Sequence, residues 1–294
     1  MTHHTGYVSA LSSAILFGLL ASLSKIALRD LHPLIIAGMI YLIAGLALSP
    51  RSMKRRMERK DLGIVLLVAI SGVVLAPILY IWGLSISTAV NASLLGNTEV
   101  LFTVLIAFVF LGERAQRRDY LAMLLLVIGA FVITTNLEFR GITLAEMVVG
   151  NVLIILGCLF WGIDNNLSKI LSERNDILQL VSLKGLIGGS AVLTFSVVMR
   201  VPFNITVDVV PYLVGIGLLS IAASVSLFLY ALRQIGAMKT GVIFSTSSLF
   251  GALFAFLILS ESVSVLQLGA GLLMILAVYL LCRGARPEAD EVQR

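Results

Sequence analysis

Charge is scarce in this chain. Only 13% of its 294 residues are charged, 59% are hydrophobic, and the mean hydropathy is +1.04. A soluble domain of this length carries roughly twice the charge, so one water-exposed globule is excluded. Cysteine is nearly absent. Cys158 and Cys282 both sit inside apolar runs, which excludes a disulfide-built scaffold and fits packing in a core. His3, His4 and His32 lie in a terminus and a loop, with no metal-ligand spacing. No P-loop pattern is present, so ATP is not expected as the energy source. No nucleophile with its base and no metal triad stands out, so an enzyme is not expected, nor is a cofactor. No Lys or Arg precedes the first apolar run, and no small-residue cleavage site ends it. That run therefore reads as a span rather than a signal peptide.

What the chain has is long apolar stretches. A spanning helix needs about 20 largely apolar residues, and ten such stretches fit: 7–29, 33–49, 62–84, 88–111, 120–136, 147–171, 177–199, 209–232, 238–259 and 264–282. Pro33, Pro50, Pro202 and Pro211 fall between spans or at their ends, where a missing N–H is harmless. The expected class is an all-α polytopic membrane protein of ten transmembrane helices, embedded in a lipid bilayer.

The 21 Lys and Arg residues are unevenly shared between the two sides. The side holding both termini and the loop "SPRSMKRRMERKD" has 15; the other has three, Arg29, Arg140 and Arg200; Lys25, Lys169 and Lys184 lie within spans. Positive loops stay cytoplasmic, so both termini are expected inside, with the protein in the inner membrane. The net charge of +5 thus encodes topology, and no nucleic-acid partner is expected.

The sequence also repeats. "LFGLLASLSKIAL" (16–28) resembles "FWGIDNNLSKILS" (160–172) at an offset of 144, "ILYIWGLSIS" resembles "FLYALRQIGA" with Tyr80 on Tyr230, and "FVFLGER" resembles "FLILSES" with Glu113 on Glu261. The implied units are 1–140 and 141–294. Each holds five spans, so the second copy enters the membrane from the opposite side. Inverted repeats place a binding site near the midplane, between halves that exchange conformations.

These pieces carry a family resemblance. "FLGER" followed by "LLLVIGAFVIT", and its partner "LILSES" followed by "GAGLLMILAVYLL", resemble the ten-helix exporters of the drug/metabolite transporter superfamily, built from EamA-type repeats. Within it the chain is most similar to YddG-type exporters of aromatic amino acids. The resemblance implies a basket of two inverted halves, a central cavity, alternating access and export of small metabolites. Two positions depart from the pattern. Relatives often carry a proline near Glu99, and many carry an arginine in the second helix of the repeat, where this chain has Ile40 and, in the second copy, Lys184.

The polar residues within spans are the candidate site. Glu99 is the lone ionisable group between Thr88 and Leu111. A charge at the bilayer centre costs several kcal/mol, so Glu99 is expected to pair with a substrate ammonium, carry a coupling proton, or bond a neighbouring helix as a protonated acid. An offset of 148 pairs Asn97, Thr98 and Glu99 with Ser245, Thr246 and Ser247, two polar triplets at equivalent depth. In "GCLFWGIDNNLSK", helical geometry puts Trp161 and Asp164 on one face. Trp161 offers an aromatic wall or an interface anchor. Asp164 and Asn165 offer hydrogen bonds to a zwitterion, or Asp164 neutralises a nearby lysine. Tyr80, Trp82 and Tyr230 suit an aromatic or cationic solute, with plain packing as the alternative. Lys25 and Lys169, in matching places near opposite surfaces, either snorkel or close the ends of the cavity. Pro77, inside the third span, is expected to kink it, and the eighth span has no matching proline. Glu113 and Glu261 are expected to order helix ends.

The sequence favours an exporter of amino acids, aromatic neutral ones first and organic cations second, working as a single chain on a small-molecule substrate. A same-fold transporter of a sugar, nucleotide or nucleotide-sugar, and a non-transporting scaffold, remain as alternatives.

Overall fold

Inside a bilayer every backbone N–H and C=O must find a partner within the protein, which leaves helices as the economical solution for apolar stretches. The computed structural model describes residues 2–52, 61–110, 117–135, 142–172 and 175–284. The described residues are helical, joined by short turns. Eight helices are long and apolar enough to cross a membrane: α1 His4–Ala27, α3 Leu62–Ser85, α4 Ala89–Ile106, α5 Arg117–Thr135, α6 Glu146–Ser172, α7 Ile177–Val198, α8 Val210–Ala231 and α9 Thr240–Leu259. Two shorter apolar helices, α2 Pro33–Ser49 and α10 Val265–Leu281, complete ten. Leu66, Leu124, Phe131, Phe256 and Leu257 face outward on this bundle. Such an apolar surface suits lipid and not water.

Local chemistry sets the helix ends. The Thr88 side chain accepts the Asn91 N–H at 3.0 Å to start α4, and Asp176 accepts from Leu178 N–H at 2.9 Å to start α7. At α10, Ser264 and Gln267 cap each other reciprocally, at 2.8 and 3.1 Å. Helices α7 and α9 end with Arg200 and Ser260 in the left-handed region, the usual way of stopping a helix.

Helical hydrogen bonding runs on from α8 into α9. Even so, the rings of Phe228 and Phe244 lie only 4.8 Å apart, whereas sixteen residues of straight helix would separate them by about 24 Å. The chain therefore turns back between them.

Packing comes in matched pairs. Helix α1 lies against α8 and α9, and α6 against α3 and α4; α2 meets α7 and α8, and α7 meets α2 and α3; α4 meets α9, and α5 meets α10. Adding five to a helix number (or subtracting it) exchanges the members of each pair. Glycines allow the closest approaches. A Cβ on Gly18 would sit 2.9 Å from Gly251 N, and one on Gly162 would sit 2.9 Å from Thr103 N. These are the two repeat-matched glycines, each seated on a matched helix.

Both α3 and α8 contain a π-helical stretch, Ile70–Leu75 and Ile216–Ala223. The sequence ties distortion to Pro77 in α3 alone. The structure places it in both helices, and Pro77 sits buried just after the first π turn. The shared feature is therefore not set by the proline. Each π turn carries a glycine, Gly72 or Gly217, pressed against a neighbouring helix.

Candidate functional site

Helices α4 and α9 are both interrupted at the polar triplets. In α4 the helix stops at Leu95 and restarts at Thr98; in α9 it stops at Ser245 and restarts at Ser247. Broken helices at mid-membrane expose backbone and polar side chains to a cavity, and a cavity is found there. Asn97, Glu99, Ser245 and Ser247 line it, with Phe17, Tyr80, Trp161 and Phe244 forming an aromatic wall. The middle residues of the triplets turn away. Thr98 donates to Leu95 O at 2.7 Å and Thr246 to Ile243 O at 2.5 Å, so neither lines the cavity. Asn97 Nδ2 donates to Ser248 Oγ at 3.0 Å and ties α4 to α9.

Glu99 is held from α6. Asn165 Nδ2 donates to Glu99 Oε1 at 2.6 Å and also reaches Thr103 Oγ1 at 3.3 Å. Neighbouring Asn166 donates to Thr103 O at 3.0 Å. Among the described residues Oε2 makes no hydrogen bond, and Glu99 keeps surface in the cavity.

Trp161 is 7% exposed and lies in the interior, not at a membrane interface. Its indole N–H donates to Gly72 O at 3.1 Å, across to the π turn of α3. Its ring lies 5.0 Å from Tyr80 and 6.4 Å, edge-on, from Phe17. Phe17 is the repeat partner of Trp161 at the 144-residue offset; the repeat contains that signal, although the polar residues draw attention first. Phe244, 5.2 Å from Phe17, has no such mark in the sequence.

Asp164 follows the second of its two readings. It pairs with Lys184 of α7, whose Nζ lies 2.7 and 3.0 Å from its two oxygens. Ser168 Oγ donates to Asp164 Oδ1 at 3.0 Å. Only a glycine fits at position 72, because a Cβ there would strike the Asp164 carboxyl. Tyr41 of α2 is buried in the same core as Trp161.

Two expected aromatics lie elsewhere. Trp82 is 42% exposed and packs edge-on to His32 at 5.5 Å; Tyr230 is 45% exposed. Neither lines the cavity. Residues of a span share a depth range but not a direction, and Trp82 stands two positions from inward-facing Tyr80, which is about 200° around a helix.

At the end of the bundle where α3 turns into α4, two charges fasten the turn. Lys25 Nζ donates to the carbonyls of Leu84, at 2.7 Å, and Ser87, where α3 ends. Glu261 accepts the N–H groups of Ala89 and Val90, at 3.0 and 2.9 Å, where α4 begins. Each charge complements the helix end it meets. Lys25, Arg29, Ser85 and Glu261 also line a pocket of about 310 Å³. At the opposite end Lys169 is exposed. The basic loop 53–60, Glu113, Arg140 and Arg174 lie outside the described residues.

The comparisons with known proteins agree with this architecture. The model of the EamA-like transporter family matches residues 4–135 and again 148–283. The chain belongs to that family. An uncharacterized transporter of Methanothermobacter thermautotrophicus is 36% identical over 94% of this chain and 85% of its own. One from Archaeoglobus fulgidus is 27% identical over 87% of this chain and 90% of its own. The uncharacterized transporter YyaM of Bacillus subtilis is 20% identical over 95% and 93%. A solved crystal structure aligns over 94% of this chain and 96% of its own with a TM-score of 0.69 and 13% identity, a likeness of fold alone. The EamA-like protein is therefore a multi-pass membrane transporter.

Proposed function

We propose that this transporter exports small amine-bearing metabolites from the cytoplasm by alternating access, with neutral aromatic amino acids favoured and organic cations second. The observation that carries the reading is Glu99: a carboxylate in a cavity at the break of α4, one oxygen fixed by Asn165 and the other without a hydrogen bond among the described residues. A substrate ammonium would complete that oxygen's contacts and cancel the charge. Tyr80, Trp161 and Phe17 supply stacking and cation–π surface beside it.

The cavity is about 50 Å³, room for a few waters and far below the ~300 Å³ at which ligand pockets begin. A substrate therefore enters only if the walls move. We infer that units 1–140 and 141–294 are inverted halves that rock against each other. The matched helix contacts and the two family matches support this. In this scheme Lys25, on Glu261's side of the bundle, helps hold one end shut, and Lys169 serves the other by repeat symmetry. The 15-to-3 distribution of Lys and Arg supports placing the termini in the cytoplasm of the inner membrane.

Counterflow in proteoliposomes tests the reading, using labelled phenylalanine, tryptophan, alanine, phenethylamine, a hexose and a nucleoside monophosphate. The expected result is exchange of the aromatic amines above alanine, with no exchange of hexose or nucleotide. Exchange confined to the hexose or the nucleotide overturns it.

A further inference from the structure

Resting on the reading of Glu99 as the ammonium partner, we propose that Lys184 receives the carboxylate of the substrate, so that the site is built for a zwitterion in preference to a bare amine. Lys184 lies on α7, outside the motifs that mark the cavity in the sequence. Its ammonium has three donors, and two are used, both on the one carboxylate of Asp164, at 2.7 and 3.0 Å. Among the described residues the third has no partner. The pair is deep in the bundle, with Lys184 12% and Asp164 8% exposed at the side chain.

The placement relative to Glu99 gives the pair a use. Asp164 is one turn from Trp161, which lines the cavity. Asn165, the residue after Asp164, donates to Glu99 Oε1 at 2.6 Å, and Gly72 lies against both the Asp164 carboxyl and the Trp161 indole N–H. With both acids ionised, Glu99, Asp164 and Lys184 sum to one negative charge. An ammonium at Glu99 cancels it. The carboxylate of an amino acid then restores one negative charge, which needs a donor in the same low-dielectric space. The free N–H of Lys184 is the donor this proposal assigns to it: the pair does not line the cavity as it stands, and the four-carbon stem supplies the reach once the walls move apart. Ser168 continues to hold Asp164 as the pair adjusts. A bare amine would leave this donor unused.

The test uses the full-length protein in proteoliposomes, with labelled L-phenylalanine and phenethylamine, which differ by the carboxylate alone. The double variant Lys184→Gln, Asp164→Asn removes both charges while keeping size, so no unpaired charge is left to hinder folding. The ratio of phenylalanine to phenethylamine exchange is expected to fall about ten-fold or more, as loss of one charge-assisted hydrogen bond in an apolar site implies. An active double variant with an unchanged ratio overturns the proposal. Equal loss of both substrates at normal yield also overturns it, because the pair would then matter to transport without distinguishing the substrate carboxylate. Wild-type protein that exchanges neither substrate removes the reading of Glu99 and this proposal together, so the two failures are distinguishable.

Discussion

A carboxylate in the middle of a span is stable only when something offsets its desolvation, and Glu99 has a single fixed partner, Asn165. That asymmetry, one oxygen held and one open to the cavity, suits a group that exchanges partners. Trp161 has the complementary role. Its N–H is anchored on Gly72 O, so the ring face stays turned to the cavity beside Tyr80. Trp161→Ala is expected to weaken counterflow of phenylalanine more than that of alanine, by about 0.5–1.5 kcal/mol beyond the lost contact area. Equal losses with normal expression would assign the ring to packing. Glu99 and Trp161 are legible in the sequence because a charge or an indole in an apolar run is conspicuous. Lys184 as the partner of Asp164, and Phe244 as part of the wall, depend on which helices meet, which no local pattern encodes. Trp82 and Tyr230 show the converse: their chemistry suits a cavity and their direction does not.

At the scale of elements, the breaks in α4 and α9 and the π turns in α3 and α8 recur in both halves. Each interruption frees backbone groups that a continuous helix would satisfy, at a place where neighbouring helices or a cavity can take them up. The ten spans themselves are readable from apolar length. The π turn of α8 is not readable, since no proline or charge marks it. The turn between α3 and α4 is held by Lys25 and Glu261. Glu261→Ala removes the acceptor for two N–H groups, and a lost cap of this kind costs about 1 kcal/mol. The expected outcome is faster reaction of a cysteine at Ser93, a cavity residue of α4, with an impermeant thiol reagent added at the Lys25 end. Unchanged labelling would mean that the two charges order the turn without restricting access.

For the whole molecule, the charge distribution and the odd number of spans per repeat make topology testable. Single cysteines at Arg56 and Arg140 are expected to differ in intact cells: the one at Arg140 reacts with an impermeant reagent, and the one at Arg56 reacts only after permeabilisation. Labelling of Arg56→Cys from outside would reverse the orientation. The central claim is that substrate amines bind and cross at Glu99, and Glu99→Gln tests it most directly because it keeps size and hydrogen bonding while removing the charge. Counterflow of labelled phenylalanine is measured for wild type and variant across a pH series, with and without an imposed pH gradient. The account predicts that apparent affinity for phenylalanine falls at every pH in the Gln variant. A Gln variant that transports with wild-type affinity and responds normally to the gradient would contradict it, leaving Glu99 as a hydrogen bond between α4 and α6.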